Sequence, residues 1–367
     1  MKIAFYEPLC KGIEHLKFLS LTIRMIQKNF PNSQFYLFAE SELAKNLQKS
    51  LSFDCVVSIT NFQETGSRIN NLINGNKIEL SNIKLICSYK IDKVICTSVS
   101  YYTLKNLRNF KNKTDIYVFY HGILESLGTK YKPYNMLFWF RKELEHLNRN
   151  IKNIVLGECI KENLLKEIPN LRNNVFSVDL IYPDTDSQPK SMNDKINFAG
   201  VGFGKKEKGS DLIFELAGKF SDVADFTHIG KMDKELIPND TKVNILGKDH
   251  PLNSDDFETA LRNCDYGLLF YDNTKYRFTA SGAIFDILTQ HKPIICLKNT
   301  YFNYVFDKMG DIGYLCDNKE EMFSVISTII DNHDDNLYRQ KQQNIIDNIY
   351  KFSETEYEKQ LNAIFKK

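Results

Sequence analysis

Short apolar runs recur along the whole 367-residue chain, each followed by a polar or glycine-bearing turn and then a stretch with helical spacing. That order is what parallel βα units require, because parallel strands are joined only by crossovers long enough to carry a helix. Seven strands are expected in the first half, at 2–6, 34–38, 55–59, 93–97, 115–120, 153–156 and 175–178. Six more are expected in the second half, at 195–199, 225–229, 242–246, 266–270, 294–297 and 313–315. The fold class is therefore α/β. Between the two sets, residues 182–194 are polar and bracketed by Pro183 and Pro189, the strongest linker signal in the chain.

Within this frame, residues 276–296 read as a small-residue turn opening a helix that leads into a buried strand. Ser281, Gly282 and Ala283 sit at the helix start, Ile284, Ile287 and Leu288 give an apolar face, and Pro293 precedes the run at 294–297. A helix start presents free N–H groups and the positive end of the helix dipole, which suits a diphosphate. Asp286, about one turn further in, is placed to accept hydrogen bonds from ribose hydroxyls. Any αβ unit needs such a turn, so the segment taken alone favours plain scaffold. A second glycine turn upstream shifts the balance. Gly200, Gly202 and Gly204 follow the run at 195–199 and allow close backbone approach, while Lys205, Lys206 and Lys208 supply positive charge.

In the first half, the run at 115–120 delivers His121 and Gly122 at its carboxyl end, the edge where ligands bind in parallel α/β sheets. A histidine at a strand end also has a purely structural reading. The loop after the first strand carries Gly12 and His15.

The second half resembles the C-terminal halves of GT-B glycosyltransferases, above all the retaining group called family 4. The elements that carry the likeness are Val201-Gly202 with Lys208-Gly209, Thr227-His228-Ile229-Gly230, Val243-Asn244-Ile245-Leu246-Gly247, the run Asn263 to Leu269, and Ser281-Gly282-Ala283 through Pro293-Ile294-Ile295. They cover residues 196 to 316. Family members usually carry an arginine after the first glycine loop and two glutamates flanking the diphosphate turn. This chain has Lys205 and Lys206 after its loop, Phe278 at the first acidic position and Asp286 at the second.

The resemblance implies two Rossmann-like domains facing each other across a cleft: an acceptor domain over 1–182, a donor domain over 183–345, and a final helix, 346–367, that returns to the first. It implies a retaining hexosyltransferase that moves a sugar from a nucleoside diphosphate donor to a glycan or lipid-linked saccharide, in bacterial surface polysaccharide synthesis. Lys205, Lys206, Lys208 and Arg277, with Gly202, Gly204 and the turn Ser281–Gly282–Ala283, would hold the diphosphate, and Asp286 the ribose. Lys205 and Lys208 would stabilise the leaving group. His121 would donate a hydrogen bond to the donor sugar across the cleft from Asp286, and Gly12 would approach the donor phosphates. No cofactor beyond the nucleotide sugar and no metal is expected. A nucleotide-sugar 2-epimerase is the alternative, although the sequence offers no clear pair of acid/base carboxylates. A catalytically silent binding subunit is a third reading.

Charge and cysteine usage narrow the partners. Residues 1–180 carry 25 Lys+Arg against 16 Asp+Glu, and the remainder 23 against 30. A basic first half suits anionic headgroups or a diphosphate-bearing acceptor, and hence peripheral membrane association. The basic residues are scattered and match no nucleic-acid-binding motif, so no nucleic acid is expected. No apolar run reaches the roughly 20 residues of a membrane span, and Glu7 and Pro8 interrupt the first run too early for a signal peptide. A cytoplasmic protein, peripheral at most on the inner membrane face, is expected. The eight cysteines lie mostly in apolar contexts and never as Cys-x-x-Cys, so they read as reduced core residues. Asp184-Thr185-Asp186 resembles a metal motif but falls in the linker. The segment 135–149, with the only tryptophan, serves as an interfacial helix or as an ordinary core-facing one.

Overall fold

A computed structural model describes every residue except 63–66, 111–112, 129–135, 148–149, 183–186, 251, 273–275 and 367, and all described side chains except those of 68 and 136–138. The Asp184-Thr185-Asp186 motif and the start of the 135–149 segment lie outside the described residues. The chain divides into two compact units. The first comprises Met1–Pro183, Phe278–Ala280 and Glu354–Lys367; the second comprises Asp184–Arg277 and Ser281–Ser353.

In the first unit β1 (Lys2–Tyr6), α1 (Leu16–Asn29), β2 (Gln34–Ala39), α2 (Ser41–Leu47), β3 (Cys55–Ser58), α3 (Arg68–Ser88) and β4 (Lys93–Cys96) follow in order. They are succeeded by α4 (Tyr101–Asn106), β5 (Asp115–Tyr120), α5 (Met136–Glu145), β6 (Ile151–Leu156), α6 (Glu158–Glu167) and β7 (Val175–Val178). In the second unit come β8 (Asn197–Val201), α7 (Leu212–Phe220), β9 (Asp225–Ile229), β10 (Asn244–Leu246), α8 (Ser254–Asn263) and β11 (Tyr266–Leu269). They lead to α9 (Gly282–Leu288), β12 (Ile294–Leu297), α10 (Thr300–Met309), β13 (Gly313–Cys316), α11 (Lys319–Asn332) and α12 (Asp335–Asn348). The closing helix α13 (Glu354–Phe365) belongs to the first unit, where Tyr357 Oη meets Thr22 Oγ1 of α1 at 3.1 Å.

All thirteen runs expected from the sequence form strands, with ends moved by no more than two residues. They were legible because parallel strands covered on both faces read as unbroken apolar runs: Ile3, Ala4, Phe5 and Tyr6 are all fully buried, as are Ile294, Ile295 and Cys296. The helix opening at Gly282 ends at Leu288, five residues before Pro293. His291 takes a left-handed backbone, φ +53°, with its N–H on the Leu288 carbonyl, and this closes the last turn early.

Both sheets are wholly parallel in their pairings. The first has the order β3-β2-β1-β4-β5-β6-β7, with Ile3 of β1 paired to Phe35 on one side and Lys93 on the other. The second has the order β10-β9-β8-β11-β12-β13, with Gly200 paired to His228 and Leu268. In each, the chain direction of strand addition reverses once, between β1 and β4 and between β8 and β11. At such a switch the loops leaving the carboxyl ends diverge, and the crevice between them is where α/β sheets bind ligands.

Bare backbone holds the second crevice in shape. Gly230, after β9, has φ +128°, and a Cβ there would come 2.4 Å from the Gly202 carbonyl oxygen. Gly230→Ala therefore combines backbone strain with a clash against main chain. We expect it to cost at least about 2 kcal/mol, whereas Gly218→Ala, on an exposed face of α7 with open space around it, should stabilise by roughly 0.5–1 kcal/mol. Denaturant titration of both variants checks the pair.

Candidate functional site

In the second unit, the loop after β8 and the turn before α9 meet. A Cβ on Gly202, whose φ is +94°, would lie 3.7 Å from the Cβ of Ala283. Gly204 is packed from behind: a Cβ there would be 2.8 Å from Met232 and 3.1 Å from the His228 ring. His228 thus acts as a buttress for the glycine loop, and burial holds its imidazole below the ordinary pKa. The loop then enters a single 3₁₀ turn, Lys206–Lys208, closed by Gly209 at φ +65°.

Three lysines follow the bare backbone. Lys206 is exposed, Lys205 and Lys208 half-buried, and none forms an ion pair with a described carboxylate. The Lys205 ammonium stands 4.4 Å from the Phe203 ring centroid, and that of Lys208 stands 5.8 Å from the Tyr271 ring. Desolvation, and then repulsion from Lys205, hold Lys208 below the usual lysine range. The N–H groups of Gly202 and Gly204 donate to the Ile229 and Lys231 carbonyls at 2.9 and 2.8 Å, so what the loop offers an anion is bare backbone and three ammonium groups around the single carboxylate of Glu207.

Ser281 occupies the N-cap position of α9, yet its side chain makes no cap. Its buried hydroxyl bonds the Tyr271 hydroxyl instead, so the first backbone N–H groups of α9 are left uncapped by it. Gly282 is exposed, with nothing within 4 Å of a built Cβ, and Ala283 and Asp286 are half-buried. The structure brings Gly202, Ala283 and the lysine loop together on one side of the second sheet's switch point. Arg277 is half-buried at the end of a stretch of the second unit. Phe278 and Thr279 fall in the first unit, where the Phe278 N–H and the Thr279 hydroxyl donate to Glu125 at 2.5 and 2.9 Å.

The first unit has its own pocket, of about 630 Å³, at the switch between β1 and β4. The loop after β1 contributes Pro8, Leu9, Cys10, Glu14 and His15; the loop after β4 contributes Ser98, Val99 and Ser100; His121, Gly122 and Ile123 follow β5. One buried carboxylate ties these loops together. Glu7 Oε1 accepts from the N–H groups of Leu9 and Cys10, both at 2.9 Å, and from the Ser98 hydroxyl, while Oε2 accepts from Thr97 Oγ1 at 2.7 Å.

His121 is half-buried on this wall, edge-on to Phe18 with centroids 4.8 Å apart and 5.1 Å from the His15 ring. Desolvation, and then the neighbouring His15, push its pKa down to about 4, so the ring is neutral at pH 7. Its Nε2 lies 3.0 Å from the Thr97 carbonyl oxygen, which can only accept. The proton therefore sits on Nε2, and Nδ1 is an acceptor. Expected from the sequence to donate a hydrogen bond to a sugar, His121 can instead accept one, or take a proton from a hydroxyl. Gly12 also departs from expectation. Its N–H is given to Glu40 Oε2 at 3.3 Å, and a Cβ would lie 3.5 Å from the Glu42 carboxylate, so acid rather than open backbone surrounds it. Helix-start N–H groups hold Glu40 down at about 2, leaving it ionised and hostile to phosphate.

Glu79 is the residue sequence reasoning missed. It is 4% exposed on α3, lines the pocket, and accepts from Tyr6 Oη at 2.7 Å. Burial raises its pKa to about 7 against the opposing hydrogen bonds of Tyr6 and Thr103. The buried face of α3 mixes Asn71, Glu79 and Asn82 with Ile83 and Ile86, so no clean apolar stripe marks Glu79 as inward. Among the described residues no cluster of three or more His, Cys, Asp or Glu side chains is placed to hold a metal ion, no helix is long and apolar enough to cross a membrane, and the cysteines are free thiols.

No protein-family model matches the sequence, and no curated protein does. In fold the chain is similar to Anabaena HepE, solved in complex with UDP, with TM-score 0.71, 12% identity and 100% of both chains covered. It is similar to sucrose-phosphate synthase from Thermosynechococcus elongatus, with TM-score 0.68, 11% identity, and 100% of this chain and 98% of that one covered. It is also similar to a protein assigned as a UDP-N-acetylglucosamine 2-epimerase from Listeria monocytogenes, with TM-score 0.56, 14% identity, and 93% and 90% of the two chains covered. At these identities the likeness is one of fold: two Rossmann-like parallel-sheet domains of the GT-B type.

The raised pKa of Glu79 makes a stability prediction. Between pH 4.5 and 7 the folded protein holds a proton there that the unfolded chain has released. The resulting stabilisation is complete below pH 4.5 and is lost as pH rises through 7, and amounts to about 3 kcal/mol. His121 acts in the opposite sense, its contribution fading as pH falls from 6.5 to 4. The difference in unfolding free energy between wild type and Glu79→Gln, measured at pH 5 and pH 8, should shrink at the higher pH by that order; a difference independent of pH would contradict the assignment.

Proposed function

We propose that the protein is a glycosyltransferase that moves a sugar from a nucleoside diphosphate donor to a saccharide acceptor, the second unit binding the donor. The observation that carries the reading is the meeting of the Gly202 loop with the turn at Ala283, beside three lysines without carboxylate partners. That HepE, of similar fold, was solved with UDP supports it. Lys205, Lys206, Lys208 and Arg277 would neutralise the diphosphate, the bare backbone at Gly202 and Gly204 would let it approach closely while their N–H groups stay on the Ile229 and Lys231 carbonyls, the N–H group at Gly282 would hold its oxygens, and Asp286 would take the ribose. Charge building on the departing diphosphate is met by fixed ammonium groups, so neither a resident metal nor a cofactor besides the nucleotide sugar is required. Retention of configuration, and a place in surface polysaccharide synthesis, are part of the proposal through the resemblance to family 4.

The first unit would hold the acceptor in its pocket, with the neutral His121 accepting a hydroxyl through Nδ1. A peripheral encounter with a membrane belongs to the same reading. It is supported by the basic excess of residues 1–180 and by Ile69 and Ile73, which are exposed one helical turn apart at the start of α3.

A second reading is a nucleotide-sugar 2-epimerase, favoured by one observation: Glu79, with a pKa near 7, is a buried acid/base carboxyl of the kind such chemistry needs. Incubation with a panel of UDP-, GDP- and TDP-sugars separates the two, since transfer or hydrolysis releases the nucleotide and epimerisation does not.

Gly282→Val should leave the fold intact, because a built Cβ meets nothing within 4 Å, yet it crowds the N–H groups. Together with Lys208→Ala it tests the donor site. Each is expected to weaken binding of the preferred nucleoside diphosphate by about tenfold or more, read as a lost thermal upshift. Unchanged binding in both folded variants would move the donor site elsewhere. His121→Ala should lower turnover at least about a hundredfold with nucleotide affinity preserved, and kinetics at saturating donor decide this.

A further inference from the structure

We propose that the pocket of the first unit is specific for the uncharged sugar ring of its acceptor, read by Glu79 and His121 against an aromatic wall, and that it excludes phosphorylated sugars. The inference rests on the acceptor reading above and narrows it to a substrate class.

The wall is Phe62, Tyr101 and Tyr102. Tyr102 is held by its hydroxyl on the Asn71 carbonyl at 2.8 Å, and Gly75 on α3 leaves the room its ring needs, since a Cβ there would fall 2.5 Å from it. Phe62 packs edge-on to Tyr102, with centroids 5.2 Å apart. Flat rings of this kind suit the C–H face of a pyranose, and a volume of about 630 Å³ lies within the roughly 300–1,000 Å³ of small-molecule pockets.

The polar groups are the selective part. Two carboxyl groups, Glu14 and Glu79, line the pocket, and its two histidines include one held neutral; no described lysine or arginine lines it. Lys105 stands 5.8 Å from the Tyr101 ring centroid but is not part of the lining. A phosphate here would meet two carboxyl groups with no lysine or arginine to pair it, and a desolvated unpaired charge is strongly disfavoured. Sugar hydroxyls have the matching chemistry: they donate to Nδ1 of His121 and to the Glu79 carboxyl. A lipid-linked acceptor could place its terminal sugar in the pocket only with its diphosphate outside.

The test is calorimetric titration of the full chain with p-nitrophenyl and methyl glycosides of glucose, galactose, mannose and N-acetylglucosamine, each against the corresponding 6-phosphate. At least one neutral glycoside should bind about tenfold or more tighter than its phosphate, and Glu79→Gln should weaken that glycoside by a similar factor. Leu9→Lys places a cation on a lining residue that is 41% exposed and should tighten the phosphate relative to the glycoside; it keeps the test open should Glu79→Gln not fold. Equal or tighter phosphate binding, no glycoside binding at all, or indifference of the phosphate to Leu9→Lys would each overturn the proposal. UDP, GDP and TDP titrated in the same experiment separate the two readings: a nucleotide without any glycoside sinks this proposal alone, and a glycoside without any of the three nucleotides sinks the transferase reading alone.

Discussion

Parallel pairing of β1 with β4, and of β8 with β11, is the constraint on which everything else in this protein rests. Each pairing creates a switch point, and each switch point leaves the loops at the carboxyl ends of its two strands to diverge. The loops that emerge there are the ones rich in chemistry: Glu7 to His15 and Thr97 to Ser100 in the first unit, Gly202 to Lys208 and the approach to Gly282 in the second. Sheet topology thus decides where ligands are met before any side chain specifies which ligand.

The two crevices are finished by opposite means. In the second unit, glycine removes side chains beside a lysine-rich loop, and the buried ring of His228 fills the space behind. In the first unit, a fully satisfied buried carboxylate, Glu7, gathers two loops around itself, and aromatic rings fill the wall. One crevice is electropositive and bare, the other acidic and aromatic. That contrast favours a division of labour in which a diphosphate and a neutral ring are bound by different units, as the proposed transferase requires.

Electrostatics at His121 and Glu79 follow from burial more than from any partner charge. Desolvation disfavours the charged form of either group, so the imidazole loses its proton and the carboxyl keeps one to higher pH. At pH 7 the imidazole is therefore neutral and the Glu79 carboxyl about half protonated, so the pocket keeps its hydrogen-bonding capacity while carrying no cation at His121.

The strand runs, the α/β class and the two glycine turns were legible because they depend on local periodicity and on residues whose backbone freedom or missing side chain is visible in the letters themselves. Gly202, Lys205, Lys208 and Ala283 could be picked out for the same reason, though only the fold brings Gly202 against Ala283. Strand order was not legible, since it depends on pairings between residues far apart, as when Ile3 lies beside both Phe35 and Lys93. Nor was the direction of the His121 hydrogen bond, which the Thr97 carbonyl fixes from another strand's loop. Gly12 looked open in sequence and is surrounded by Glu40 and Glu42 in space. Glu79 was hidden among the polar positions of α3 and becomes a pocket residue only when Tyr6, Thr103 and the loop after β4 close around it. Sequence by itself determined the elements, because their signals are local; tertiary structure decided protonation, hydrogen-bond direction and which charges face a ligand, because each of those is set by neighbours that the chain supplies from elsewhere.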